Sequence, residues 1–255
     1  MTIRAIGLIV VAAALFTDAE RVDAQTTARP IKVLASNGFR AVMEDLAPRC
    51  EKTLSLHMST DYGTSTSLLQ RVNGGEAFDV AVTTVEAMDD LVKAGKVNAA
   101  SRTPLGRSGI GVGVRKGASK PDIKSVDAVK RTLVSAKSVT YAGDGASRPH
   151  IEAMFKELGI TQAMASKTIL EQGSVRAAAK VASGDAELLI TLVSEILPAP
   201  GVDLVGPLPD RFQHYVSFAA ATGNTTANAE AGKALIGCFS GPEVLPVLKA
   251  RGMER

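Results

Sequence analysis

The chain has 255 residues, 29 Lys and Arg against 26 Asp and Glu, and a formal net charge of +3. The basic residues are scattered rather than clustered, which argues against a nucleic-acid partner. Aromatic residues make up 4% with no tryptophan, which argues against a sugar site built on stacked rings.

The chain opens with Arg4, an apolar core over residues 5–16, and a polar run ending Val22-Asp23-Ala24. That order predicts a signal peptide over 1–24, since the core is too short to span a bilayer and the V-x-A ending suits cleavage before Gln25. The removed segment holds two basic and three acidic residues, so the rest is one charge more positive than the whole chain. No cysteine lies near the cleavage region, so a lipid anchor is not expected. Residues 25–255 are enough for two compact domains or one large one.

Residues 31–35 (IKVLA) read as a buried strand stopping at Ser36-Asn37-Gly38, followed by a helix over 39–50 with Val42, Met43, Leu46 and Cys50 on one stripe. Ser36 and Asn37 therefore sit where a strand ends and a helix begins, the place where open α/β sheets bind ligands. The same atoms could simply cap the helix. Residues 54–59 alternate and predict a second strand. Residues 61–84, DYGTSTSLLQRVNGGEAFDVAVTT, read as turn, helix, tight turn and buried strand. Its hydroxyl cluster at Thr64 and Ser65 opens a helix, whose unpaired N–H groups and positive dipole end favour an anion, or a cap. A helix over 85–94 closes this unit, and the alternation of strand and helix predicts a mostly parallel sheet covered by helices.

GIGVGV at 109–114 is not followed by a helix start, so a nucleotide-binding reading fails and a strand with close backbone approach is expected. A helix over 125–134 and a strand over 138–141 lead into AGDGASRP, with a helix beginning at His150. Ser147 places a hydroxyl near that start. Arg148 adds a forked cation that fits an oxyanion, or is an ordinary surface arginine. A helix over 177–183, a buried strand over 188–192, a short strand over 202–205, a returning strand over 212–220 and two helices, at 227–239 and 243–249, complete the chain. Cys50 and Cys238 are the only cysteines; in an exported protein they pair or stay as two buried thiols.

These residues resemble a known family: periplasmic solute-binding proteins of ABC importers, specifically the molybdate-binding group of the type II fold. The resemblance rests on the strand ending Ala35-Ser36, on YGTSTSLLQRVNGGEAFDVAVTT, on GIGVGVRKGASKPDI, on the loop through Arg148 before FKELGI, and on the ending ALIGCFSGPEVLPVLKARGMER. It implies an α/β, two-domain type II periplasmic binding protein fold with mostly parallel sheets and a hinge of crossing strands. The implied domains are 25–108 with 213–255, and 109–212. It also implies a periplasmic location, a monomer, a membrane permease as partner and a small anionic ligand held without a metal, counter-ion or cofactor. By motif, Ser36 matches the first-loop serine, Ser65 with Thr64 the second-loop hydroxyl, Ser147 the cross-cleft loop, and Val175 a backbone amide that holds the ligand.

Two positions depart from the family pattern. Leu192 stands where molybdate binders usually have a tyrosine, and Arg148 replaces a small residue. Loss of a neutral donor and gain of a charge point from molybdate toward an organic carboxylate. No G-x-S-x-G, S-x-x-K or H-E-x-x-H occurs, and His57, His150 and His214 are scattered. A binder rather than an enzyme is therefore expected, with an exported hydrolase or a ligand-sensing receptor as alternatives on the same fold.

Overall fold

The computed structural model describes residues 29–255; the expected signal peptide lies outside them. The first lobe is built from β1 (Ile31–Ser36), α1 (Asn37–Leu54), β2 (Met58–Gly63), α2 (Ser65–Asn73), β3 (Val80–Thr84) and α3 (Val85–Lys93). A long strand, β4 (Thr103–Arg115), carries the chain to the second lobe. There follow α4 (Val126–Ser135), β5 (Val139–Ala142), α5 (Arg148–Glu157), α6 (Thr161–Ala165), β6 (Thr168–Glu171), α7 (Ser174–Ser183), β7 (Leu188–Leu192), α8 (Val193–Ile196) and β8 (Val202–Pro207). Strand β9 (Tyr215–Thr222) returns to the first lobe, which α9 (Ala229–Ser240) and α10 (Leu245–Ala250) complete.

The nine strands form one sheet in the order β2-β1-β3-β9-β4-β7-β5-β6, with β8 paired to β4. Within each lobe the central pairs are parallel: β1 with β2 and β3, and β5 with β6 and β7. The crossing strands are antiparallel. β4 pairs with β9 up to Gly109 and with β7 from Ile110 onward, so one strand serves both lobes. The α/β fold with crossing strands expected above is therefore the fold the chain adopts, with its two halves sharing one continuous sheet.

Alternation along the strands explains why helices cover both faces. In the first lobe Val33, Ala35, Val80 and Val82 join the core under α1 and α9, while Leu34 and Ala81 face the opposite layer with Leu68 of α2 and Met88 and Leu91 of α3. In the second lobe Leu188, Ile190 and Leu192 take one face, and Leu189 packs with Ala177 and Val181 of α7 on the other. Cys50 and Cys238 form a disulfide that ties α1 to α9 within the first lobe. Gly111 shows the close approach expected of its strand: a Cβ there would lie 2.9 Å from Val193 and 3.0 Å from the Gly206 carbonyl.

Local differences from the sequence expectation have physical causes. The expected strand over 54–59 is displaced, because α1 runs on to Leu54 and ends at Ser55 in the left-handed region, and pairing with β1 begins at Met58. Residues 168–171 form β6, an edge strand whose mixed exposure hides the buried-strand signal. The helix expected from His150 starts at Arg148, which makes Ser147 its N-cap residue. Among the described residues no helix is long and apolar enough to cross a membrane.

Candidate functional site

Five helices begin at one cavity between the lobes. It is lined by Ser36 and Thr64 before α1 and α2, Ser65 in α2, Thr84 before α3, Ser147 before α5 and Ser174 in α7, with Leu192, Glu195 and Phe218 completing much of the wall. Each helix start brings N–H groups without intrahelical partners and the positive end of a dipole, so their convergence favours an anion. The lobes enclose a volume of about 20 Å³, which is room for about one water. A multi-atom ligand enters only when the lobes part.

The capping alternative divides these hydroxyls into two groups. Thr64 caps α2 by accepting from the Ser67 N–H, and Thr84 caps α3 by accepting from the Ala87 N–H. Ser36 and Ser147 stand at N-cap positions yet make no capping bond through their side chains. Ser65 Oγ accepts from the Thr84 N–H at 3.0 Å and donates to Ser36 Oγ at 3.2 Å. A hydroxyl has one proton, so this chain leaves the Ser36 proton free for a ligand. Ser36, Ser65 and Ser147 are all buried, so donors not spent on caps face the cavity rather than bulk water.

The other expected residues lie elsewhere. Asn37 and Val175 line a neighbouring groove between α1 and the α7–α8 region. Arg148 does not line the cavity: its guanidinium donates to Glu152 at 2.8 Å and to the Gly143 carbonyl at 2.6 Å. Leu192 lines the cavity beside Phe218, so this position contributes apolar surface and no polar donor.

Two acids complete the second lobe's side. Asp144 accepts from Thr64 Oγ1 at 2.9 Å and from the Gly173 N–H at 2.9 Å, which links helix starts across the lobes. Gly173 holds φ +82°, the left-handed region that glycine enters without strain. A second link runs from Ser194 Oγ to the Gly38 carbonyl at 2.8 Å. Glu195 has both carboxyl oxygens engaged, by Ser174 Oγ at 2.7 Å and by Thr191 Oγ1. Burial raises its pKa above the usual carboxylate range, against the lowering effect of those two hydroxyls and of a backbone bond at Leu192.

Ser174, Glu195 and Phe218 were missed in the sequence. Glu195 lies three residues beyond the end of a buried strand, inside a helix of four residues that local periodicity does not reveal. His150 and His214, scattered in sequence, are stacked with ring centroids 3.3 Å apart. Burial and the neighbouring His214 push the His150 pKa down, against the opposing effect of Glu86. Among the described residues no cluster of three or more His, Cys, Asp or Glu could hold a metal ion.

Residues 31–254 match a family of bacterial extracellular solute-binding proteins. The chain is 31% identical over 230 residues to an aconitate isomerase of Pseudomonas sp., covering 88% of this chain and 87% of that one. Among solved structures, the periplasmic molybdate-binding protein of Azotobacter vinelandii superposes with a TM-score of 0.74 at 18% identity, covering 88% of this chain and 99% of that one. The sulfate-binding protein of Mycobacterium tuberculosis gives 0.67 at 20% identity, over 88% and 86%. At these identities the two structures speak for the fold alone.

Proposed function

The chain belongs to the bacterial extracellular solute-binding proteins, and from that premise we propose that it captures a small polycarboxylate anion between its lobes and presents it to the permease of an ABC importer. In this reading residues 1–24 direct export and are removed, and the remainder works in the periplasm. The observation that carries the proposal is the convergence of five helix starts on one cavity, where Ser36 and Ser147 are free of capping bonds and Ser65 orients the Ser36 hydroxyl. The aconitate isomerase relative favours an organic acid over a metal oxyanion. So does the apolar wall of Leu192 and Phe218, which suits a carbon skeleton.

The anion docks on the starts of α1 and α2 through Ser36 and Ser65, with Thr64 alongside. Closure about β4 and β9 then brings Ser147 and the start of α7 near Val175 onto its other side, and Asn37 borders the adjoining groove. Only the closed form makes both sets of contacts, so ligand shifts the population toward it. Arg148, already paired with Glu152 and the Gly143 carbonyl, is left out of this set.

A thermal-shift screen of residues 25–255 against molybdate, tungstate, sulfate, phosphate and di- and tricarboxylates tests the reading, because a ligand far above its Kd raises the midpoint. Carboxylates shifting Tm alone is the expected result; a response only to molybdate and tungstate would overturn the polycarboxylate assignment. One observation favours a second reading, turnover of the bound anion: the carboxyl of Glu195 in the cavity wall.

A further inference from the structure

The basic residues form no long run in the sequence, yet seven of the 29 Lys and Arg fall within residues 115–137, against two Asp. That stretch is net +5 in a chain whose total is +3, so the rest of the molecule is net negative. The fold gathers it at one end of the second lobe, from the end of β4 through α4. Arg115, Lys120 and Lys137 line a groove of about 580 Å³, together with Val114, Pro121 and Leu188. Lys130 and Arg131 line a second depression on the outer face of α4, and Ser135 belongs to both. All five cations are exposed, and none forms an ion pair among the described residues. Two acids share these depressions: Glu187, which accepts from the Lys137 N–H, and Asp127. Val126 and Val134, one helical turn to either side of Lys130, are exposed as well.

We propose that this end of the second lobe is a docking surface for the anionic phosphate headgroups of a phospholipid membrane. Unpaired like charges packed this closely repel one another, and a polyanionic surface relieves that repulsion. Each Lys or Arg held near an anionic bilayer strengthens attachment by about fivefold. The exposed valines favour lipid over an acidic protein, because an interfacial helix buries apolar atoms between its cations at the headgroup–acyl boundary. Nucleic acid is disfavoured, since residues 115–137 hold no Phe, Tyr, Trp or His on which a base could stack. The groove lies at the starts of β5 and β7, where Ser138 and Leu188 line it, whereas the cavity between the lobes takes Ala142 and Leu192 from the ends of the same strands. Those strands have four and five residues, which separates the two places by about 15 Å. A docked molecule therefore keeps its cavity clear of the lipid, and the surface acts whatever ligand the cavity holds. Attachment of this kind is reversible and weakens with salt, because it fades beyond a Debye length.

Flotation of residues 25–255 with vesicles tests the surface, using phosphatidylcholine alone and an equal mixture of phosphatidylcholine and phosphatidylglycerol, at low and at physiological salt. The wild-type chain is expected to float with the anionic vesicles only, and less at the higher salt. K120A/K130A/R131A should lower the partition coefficient by about 10²-fold. K93A/K233A/K249A removes the same charge from exposed positions of the first lobe and should change it by less than about threefold. An equal loss in both variants would mean that net charge alone attracts the chain, and overturns the assignment of this face. So does an absence of flotation with anionic vesicles. Release by inorganic phosphate but not by sodium chloride of matched ionic strength would mark a site for the free ion and overturn the lipid assignment. Retention on polyglutamate without flotation would hand the face to an acidic protein instead.

Discussion

From the first lobe the cavity receives the ring of Phe218 and four neutral hydroxyls, those of Ser36, Thr64, Ser65 and Thr84, each hydroxyl at or beside the start of a helix. From the second it receives Ser147 and Ser174 together with the carboxyl of Glu195, while Asp144 bridges Thr64 to the Gly173 N–H. The first side offers hydroxyls, helix starts and one apolar ring, and no proton-accepting group stronger than a hydroxyl. The second side adds groups whose protonation and pairing matter, so ligand choice, closure and any chemistry belong there. Their backbones differ less than their side chains: each lobe is a parallel β–α unit opening its strand ends toward the same gap.

Removing the first lobe's donors should break this division most severely. The double substitution S36A/S65A deletes two hydroxyls from a charged ligand's shell. At about 1.5–3 kcal/mol for each bond to a charged group, the Kd should weaken by about 10²–10⁴-fold in calorimetry. The disulfide separates stability from recognition. C50S/C238S should lower unfolding free energy by about 2–5 kcal/mol in denaturant titration, yet leave ligand affinity near wild type, because the bridge joins α1 to α9 away from the cavity lining.

Breaking the cross-lobe bridge sharpens the comparison from the other side. D144A frees Thr64 Oγ1 and the Gly173 N–H, and small-angle scattering of the ligand-free protein should show a more open average shape. Affinity should fall by about tenfold, the worth of a single charge-assisted bond. The smallest effect is expected for R148A, whose exposed pair with Glu152 is worth about 0–1 kcal/mol. Its Kd for the polycarboxylate should stay within about twofold of wild type, and a larger loss by calorimetry would return Arg148 to the binding surface.

Much of this arrangement was legible in the sequence because strand-end and helix-start signals are local. Residues 31–38 and 61–84 show buried strands giving way to small polar residues, and that pattern located Ser36, Thr64 and Ser65 without any tertiary information. The same reasoning reached Ser147 through AGDGASRP. It did not reach Glu195, because the helix that carries it has only four residues and leaves no periodic signature. Arg148 drew attention for the opposite reason: a charge in a glycine- and serine-rich loop stands out in sequence, while its partner Glu152, one helical turn on, is visible only once α5 is known to begin at Arg148.

What the sequence determined by itself was the set of elements and the chemistry of their ends, since hydrophobic alternation and turn residues act over a few positions. The tertiary structure decided which ends meet. Parallel pairing in each lobe aims the strand ends at one gap, and β4 and β9 span both lobes, so Ser36 and Ser147, 111 positions apart, line the same cavity. It decided which hydroxyls are spent on caps and which remain free, a question of backbone angles at single residues. It also joined Cys50 to Cys238 and brought the carboxyl of Glu195 to the cavity lined by the helix-start hydroxyls, because such contacts depend on distances that no local pattern encodes.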